Sequence, residues 1–147
     1  MNRYRLGWLV FALLPVALAV YAAVDEDGFV RIEPDEIDWG QSGDGGIGFV
    51  VPAGDPQQEG FYMIRAKFPP GVMSSPHYHP NDRHVTVISG TWYTGTGSDF
   101  DRDVMIPLSP GSYMMHPGGG VHYDGAKDQE VIVEIKGMGP APTIRVE

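Results

Sequence analysis

The chain has 147 residues, which suits a single domain with one hydrophobic core. Its 20 Gly and 13 Pro disfavour a helical bundle, because both residues are poor in helix interiors. The excess of Asp and Glu over Lys and Arg (19 against 10) argues against nucleic acid or an anionic membrane surface as a partner. The absence of Cys excludes disulfides, iron–sulfur clusters and Cys-ligated zinc, so any metal must be held by His and carboxylates.

The N-terminal segment has the features of an export signal. Two arginines precede an uncharged run from Leu6 to Val24, which contains small residues near its end. A basic start, an apolar stretch and small residues at a cleavage point are typical of secretory signals. We therefore expect residues 1–24 to be a signal peptide and the folded part to be secreted or periplasmic. The alternative is an uncleaved anchor helix, because the run just reaches the ~18–20 residues that span a bilayer.

The rest of the chain predicts strands and turns. Residues 25–60 are Gly-rich and predict an irregular arm with the first strands; the Gly43-x-Gly45-x-x-Gly48 spacing there neither follows a strong strand nor opens a helix, so a dinucleotide site is set aside. From Phe61 to Phe68 residues alternate as in a half-buried strand. Many short strands between Gly- and Pro-rich turns indicate an all-β sandwich or barrel over residues 61–140, with residues 141–147 as a tail. The further strands are Val85–Ile88, Thr91–Thr94, Val104–Leu108, Ser112–His116 and Val131–Lys136.

The histidines carry the candidate chemistry, because all five lie between positions 77 and 122. His77 and His79 share one face of a strand, since side chains alternate with a period of two. His84 begins the strand that runs to Ile88, and His122 follows a Gly-rich turn. Two ligands on one strand with others on neighbouring strands can chelate a divalent metal inside a barrel.

Two segments resemble the paired motifs of the cupin superfamily. Residues 71–90 read Gly-x5-His-x-His-x4-His-x5-Gly, close to a first motif of Gly, an H-x-H pair, usually a Glu, and a closing Gly. Residues 111–122 read Gly-x5-Pro-x-Gly-x2-His and match the second motif as far as its His. The resemblance covers about residues 60–140. It implies a cupin-type double-stranded β-helix, a jelly-roll barrel preceded by the signal or anchor helix.

The resemblance implies metal ligands at His77, His79 and His122, with His84 as the expected fourth ligand. His84 stands where the family usually has Glu, and its gap to the closing Gly is one residue shorter than usual. The alternatives are a pocket-lining His84 or a carboxylate ligand from Asp82. The second motif also departs from the family, because Ala126 stands at the place of its closing Asn.

Strand parity extends the expected site beyond the ligands. Asp124 shares parity with His122 and could orient its imidazole, as carboxylate–histidine–metal pairs do. His116 matches no ligand position, so a packing or rim role is expected. Other candidate pocket residues, with ordinary core packing as the alternative, are Thr86, Ile88, Tyr62 and Phe68.

A site of neutral imidazoles leaves a divalent ion its full charge, which favours Fe²⁺ and anionic chelating ligands. Such sites resemble those of the three-His and four-His cupin dioxygenases. The resemblance therefore implies a metal-dependent oxidoreductase acting on a small organic molecule, with iron expected first and Mn, Ni, Zn or Cu as alternatives. No catalytic side chain is identified. The other hypotheses are a cupin isomerase, lyase or hydrolase that uses the metal as a Lewis acid, and a non-catalytic metal- or ligand-binding cupin. A homodimer is compatible with each of these.

Overall fold

The computed structural model describes residues 23–41 and 44–146. Residues 1–22 of the expected signal or anchor segment lie outside the described residues. Within the described ranges, no helix combines the length and the apolar character needed to cross a bilayer.

The described residues are almost entirely strands and turns. Two 3-10 helices of three residues each, Pro34–Glu36 and Asp44–Gly46, are the helices of these ranges. In chain order the strands are β1 (Ala23–Val24), β2 (Val30–Arg31), β3 (Gly40–Gln41), β4 (Gly48–Gly54), β5 (Gly60–Phe68), β6 (His77–Tyr78), β7 (Arg83–Ser89), β8 (Trp92–Thr96), β9 (Ile106–Leu108), β10 (Tyr113–His116), β11 (His122–Gly125), β12 (Val131–Gly139) and β13 (Ile144–Arg145).

The strands form two large antiparallel sheets and a small two-stranded one. The six-stranded sheet has the order β10-β7-β12-β5-β4-β3, and the five-stranded sheet has the order β13-β6-β11-β8-β9. Strands β1 and β2 pair with each other. Every strand pair is antiparallel, and neighbouring strands are often distant in sequence, as in a jelly roll. The expected all-β, double-stranded β-helix architecture is confirmed.

The core lies between the two large sheets and follows from strand alternation. The predicted pattern of β5 is confirmed, because Ile64 and Ala66 point inward and their partners across the ladder, Ile135 and Val133 of β12, are buried too. Trp92 of β8 packs into the same cluster from the five-stranded sheet. Each fully buried Val or Ile side chain contributes about 1.5–3 kcal/mol of hydrophobic free energy.

Two segments outside the predicted barrel are part of its sheets. In the Gly-rich arm, β4 pairs with β5, and the register shifts between Val50 and Ala53, around Pro52. A proline cannot donate to a ladder, so it is tolerated in a strand at such an irregularity. In the expected tail, β13 pairs with β6 and places Ile144 opposite Tyr78. The C-terminal residues therefore lie beside the strand that begins with His77.

Candidate metal centre

Three of the four expected ligands come together. His77 begins β6, His79 follows this strand directly, and His122 begins the neighbouring strand β11, where it is the register partner of His77. The ring centroids of His77 and His122 are 4.4 Å apart. Each of the three imidazoles offers one ring nitrogen, and these nitrogens all lie within 4.8 Å of one another.

The backbone sets the orientation of all three rings. The Nδ1 atom of His77 is 2.7 Å from the carbonyl oxygen of Ser75, and that of His122 is 2.9 Å from the carbonyl oxygen of Gly120. The Nδ1 atom of His79 is 3.0 Å from the carbonyl oxygen of Pro142 in the C-terminal segment. A carbonyl only accepts, so each Nδ1 carries the proton and donates it. The lone pair is thereby left on Nε2, the tautomer that metal-ligating histidines use.

Burial favours the neutral form of two of these imidazoles, His79 and His122, and a metal-ligating imidazole must be neutral. His79 is 3% exposed, and burial, with the nearby charge of Arg83, lowers its pKa to about 3. Burial also lowers the pKa of His122, although the carboxylate of Asp124 opposes this shift. Both rings therefore have an unprotonated nitrogen at neutral pH.

The fourth expected ligand, His84, does not join the cluster. It is exposed on the outer face of β7, where its Nδ1 atom is 2.8 Å from the hydroxyl oxygen of Tyr113. The alternative ligand Asp82 is exposed as well, and its Oδ1 atom accepts the backbone N–H of Gly118 at 2.7 Å. The expectation that Ile88 lines the barrel is also wrong, because the Ile88 side chain is 45% exposed.

Arg83 takes the inward position that the motif resemblance predicts for His84. Along β7 the buried residues are Arg83, Val85 and Val87, so the even-numbered side chains face outward or are half-buried. The ladder with β12 shifts register between Ile132 and Val133, and beyond this shift it places Val85 opposite Ile135 and Arg83 opposite Gly137. In the first motif the acidic residue usually stands one residue farther from the closing Gly than His84 does, and in this chain that position is Arg83. The short gap is therefore the signal in the sequence that His84 does not hold the inward position.

The Arg83 guanidinium lies against the cluster. Its Nη1 atom contacts Nε2 of His79, and its Nε atom has no hydrogen-bond partner among the described residues. Arg83 is 8% exposed, and burial lowers its pKa, although Tyr62 and Asp124 favour the charged form. A cation thus stands where the family usually has an acidic ligand.

His116 belongs to the site, although it was expected to be a packing or rim residue. It is 4% exposed, and its ring centroid lies 3.7 Å from that of His122. Burial and the neighbouring His122 lower its pKa to about 2. Its Nε2 atom lacks a hydrogen-bond partner among the described residues. One ring nitrogen each from His116 and His122 and a carboxylate oxygen of Asp124 also lie within 4.8 Å of one another.

Asp124 acts on His122 through charge rather than through the expected orienting contact. The Nδ1 atom of His122 is held by the Gly120 carbonyl, whereas Oδ1 of Asp124 accepts the hydroxyl of Ser74 at 3.4 Å. The Ser74 hydroxyl in turn accepts the backbone N–H of Asp124 at 3.0 Å.

These groups surround a cavity of about 480 Å³ between the two sheets, a size that suits a small organic ligand. Of the two aromatic residues expected in the pocket, Phe68 lines this cavity, and Tyr62 lies in the core. The polar lining residues are Ser74, Ser75, His77, His79, Arg83, His116, His122, Asp124, Thr143 and Arg145. The apolar ones are Ile47, Phe49, Pro56, Ile64, Ala66, Phe68, Val85, Trp92, Val133, Ile135 and Ala141.

The donor set fits a divalent ion of the zinc or iron type. Three imidazoles whose Nδ1 atoms are held by carbonyls and whose other nitrogens converge are a ligand set that such ions take in catalytic sites. The Arg83 contact opposes a metal, because the lone pair of His79 Nε2 cannot serve a guanidinium and an ion at once. A bound ion therefore requires the guanidinium to turn away from this nitrogen.

Solved structures share the fold at low sequence identity. KdgF from Halomonas sp. aligns with 21% identity and a TM-score of 0.56 over 73% of this chain and 91% of its own. The polyketide cyclase RemF from Streptomyces resistomycificus aligns with 14% identity and a TM-score of 0.67 over 81% and 86% of the two chains. A cupin superfamily protein from Desulfitobacterium hafniense aligns with 13% identity and a TM-score of 0.54 over 71% and 84%.

The sequence itself matches no protein-family model and no curated protein. The resemblance read from the two motifs and the likeness to the solved structures nevertheless agree on one architecture. The chain has the cupin fold.

Proposed function

We propose that this protein is a metal-dependent cupin enzyme that acts on a small organic molecule, and that its reaction is an oxidation of the dioxygenase type. The observation that carries the proposal is the set of three buried imidazoles whose Nδ1 protons are all bound by backbone carbonyls. This arrangement leaves three Nε2 lone pairs in one region of the cavity between the sheets.

Each part of the chain has a role in this proposal. His77, His79 and His122 would hold the ion, and three protein ligands leave coordination positions for a substrate, as in catalytic sites. A bound divalent ion supplies Lewis-acid polarisation and, for iron, redox chemistry. The apolar walls around the cavity exclude water and strengthen electrostatic interactions inside it.

The neutral ligand set supports a redox reaction through charge. The three-His group contains no carboxylate among the described residues, so its ligands would leave the charge of an Fe²⁺ ion in place, which favours the reduced state; the carboxylate of Asp124 lies beside His122, outside this group. The fold likeness to a polyketide cyclase is compatible with an enzyme whose metal acts as a Lewis acid alone. Metal identity separates these two forms of the proposal.

A second candidate function follows from the contact between Arg83 and His79. If the guanidinium remains on His79 Nε2, the protein is a metal-free cupin that binds a ligand without transforming it. In that case the polar end of the cavity is a receptor built from Arg83 and the imidazoles.

We also propose that the protein is exported, on the basis of the basic and then apolar sequence of residues 1–24. Expression of the full chain followed by cell fractionation and mass measurement of the mature N-terminus tests this. A mature form that begins near Asp25 outside the cytoplasm supports export, and an intact chain in the cytoplasm contradicts it.

The test of the function is metal analysis of the full chain isolated from its own compartment, because a foreign cytoplasm can load a different ion. We expect about one iron per chain. Under anaerobic conditions the Fe²⁺ form should bind nitric oxide, a surrogate for O₂, and give the electron paramagnetic resonance signal of a high-spin iron–nitrosyl. Stoichiometric zinc would favour the Lewis-acid form. A wild-type chain that binds no divalent ion would overturn the metal proposal and favour the metal-free binding protein.

A further inference from the structure

Two buried polar groups on the six-stranded sheet lie against the three-His cluster, Arg83 on His79 and His116 on His122. Arg83 begins β7, and His116 ends β10, and the two residues are register partners on these neighbouring strands. The three histidines of the cluster come from β6, β11 and the segment that follows β6 in the other sheet. One cavity is therefore lined by the three-His ligand set from one sheet and, in contact with it, by a cation and an imidazole from the other sheet.

Both groups have unused hydrogen-bonding capacity. The Nε atom of Arg83 and the Nε2 atom of His116 are buried and have no hydrogen-bond partner among the described residues. Buried polar atoms in proteins are nearly always paired. Tyr62 Oη and Trp92 Nε1 also lack a partner among the described residues, but the Arg83 and His116 atoms belong to register partners in one cavity and together indicate a ligand that supplies their partners.

The guanidinium of Arg83 also lacks an ion-pair contact among the described residues. No carboxylate of residues 23–41 and 44–146 makes an ion pair with its guanidinium within 4.0 Å. Asp124 lines the same cavity, but its Oδ1 atom accepts the Ser74 hydroxyl. A buried charge without a partner is strongly unfavourable, and an anionic ligand would remove that penalty.

We propose that Arg83 and His116 form the binding site for the carboxylate group of a small organic acid, which is the substrate of this enzyme. A planar guanidinium matches a carboxylate in two parallel hydrogen bonds, which makes the site selective for that group over a neutral one. The apolar residues around the cavity, among them Phe49, Val133 and Ile135, would pack against an apolar body of the same molecule.

This inference deepens the proposed function and explains the contact between Arg83 and His79. When an ion takes the Nε2 lone pair of His79, the guanidinium must release this nitrogen, and its freed donors then serve the carboxylate. The metal and the carboxylate would thus occupy the site together. The carboxylate alone would still bind to a metal-free site, with Arg83 as its counterion.

The test uses benzoate as the probe and isothermal titration calorimetry of the full chain, with and without stoichiometric metal. We expect benzoate to bind the wild-type protein and benzamide, its neutral analogue, to bind at least about tenfold more weakly. Arg83→Met should weaken benzoate at least about tenfold and leave benzamide unchanged. Arg83→Lys keeps the charge and loses the planar fork, so its affinity for benzoate should lie between those of the wild type and Arg83→Met. It also serves as a second variant if Arg83→Met does not fold.

Arg65→Met is the matched control. Arg65 is on the other face of β5, where its Nε atom pairs with Glu134 at 3.1 Å, so its loss should leave benzoate affinity unchanged. Equal affinity for benzoate in wild-type, Arg83→Met and Arg83→Lys proteins would overturn the inference, as would equal affinity of the wild type for benzoate and benzamide. If benzoate binding depends on Arg83 but no ion binds, the carboxylate site is supported while the metal-dependent function fails.

Discussion

His122 and His77 lie directly opposite each other on the neighbouring strands β11 and β6, and their ring centroids are 4.4 Å apart. Side chains at opposite positions of an antiparallel pair point to the same face of the sheet. The backbone ladder therefore places these two imidazoles together before any ion is considered, and His79 adds a third nitrogen from the segment that follows β6.

The first prediction separates this cluster from His84. His122→Ala should abolish stoichiometric metal, because it removes one of only three imidazole ligands. His84→Ala should keep full metal content, because His84 is on the outer face beside Tyr113. Elemental analysis of both purified variants measures the metal content per chain. Equal metal loss in both variants would mean that the outward position of His84 is wrong.

The second prediction concerns the C-terminal segment. A chain that ends after Pro140 lacks the Pro142 carbonyl that holds Nδ1 of His79, and it lacks β13. Loss of such an outer partner of a metal-ligating His typically weakens metal binding about 10- to 100-fold. Competition with a chelator measures the affinity, and far-ultraviolet circular dichroism checks that the barrel is retained. The control Ile144→Gly keeps the Pro142 carbonyl and should bind metal more tightly than the shortened chain. Wild-type affinity in the shortened chain would show that this carbonyl has no role.

The third prediction tests the packing of β8 against β11. A Cβ atom built at Gly95 would lie 2.2 Å from Cζ of the buried Tyr123 ring, so Gly95→Ala forces the ring or the strand to move. Overpacking of this kind costs about 1–3 kcal/mol in the free energy of unfolding, which urea denaturation measures. In a double variant with Tyr123→Leu the clash is absent, so the combined cost should be smaller than the sum of the two single costs. Additive costs would contradict the contact.

The fourth prediction is the pH dependence of the metal-free protein. Folding holds the pKa of His79 at about 3 and that of His116 at about 2, whereas an imidazole in an unfolded chain titrates near ~6.5. Between these values the unfolded chain binds more protons than the folded one. The free energy of unfolding should therefore have its highest value above about pH 6.5. Below that pH it should decrease by up to about 1.4 kcal/mol per pH unit for each histidine.

Urea unfolding between pH 4 and 8 in the presence of a chelator measures this slope. His116→Gln removes one of the protons taken up on unfolding, so its slope below about pH 6.5 should be shallower than that of the wild type. Identical slopes in the two proteins would mean that His116 is not held neutral by the fold.

Much of the fold could be predicted from local pattern. The alternation in β5 and the two motifs identified the barrel, and the H-x-H pair with His122 identified the cluster. Strand β4 was harder to predict, because Pro52 and the register shift around it interrupt the alternation.

The rest of the site depends on register and on backbone atoms. Arg83 and His84 differ by one position, and a one-residue slip moves every side chain of a strand to the opposite face. The chemical expectation of an imidazole ligand favours His84, whereas the alternation of buried and exposed residues along β7 places Arg83 inward. The pairing of Arg83 with His116 requires the ladder between β7 and β10, and the Pro142 carbonyl is a backbone group without a sequence signature.

The hydrogen bond between His79 and the Pro142 carbonyl can form only late in the synthesis of the chain. The two residues are 63 positions apart, so at ordinary rates of translation His79 exists for several seconds before its backbone acceptor does. Until Pro142 and β13 have emerged and docked beside β6, the three imidazoles are not all held in one orientation. A nascent chain would therefore exchange ions readily. The ion that it retains would be the one present in the compartment where β13 docks beside β6, not the one present at the ribosome.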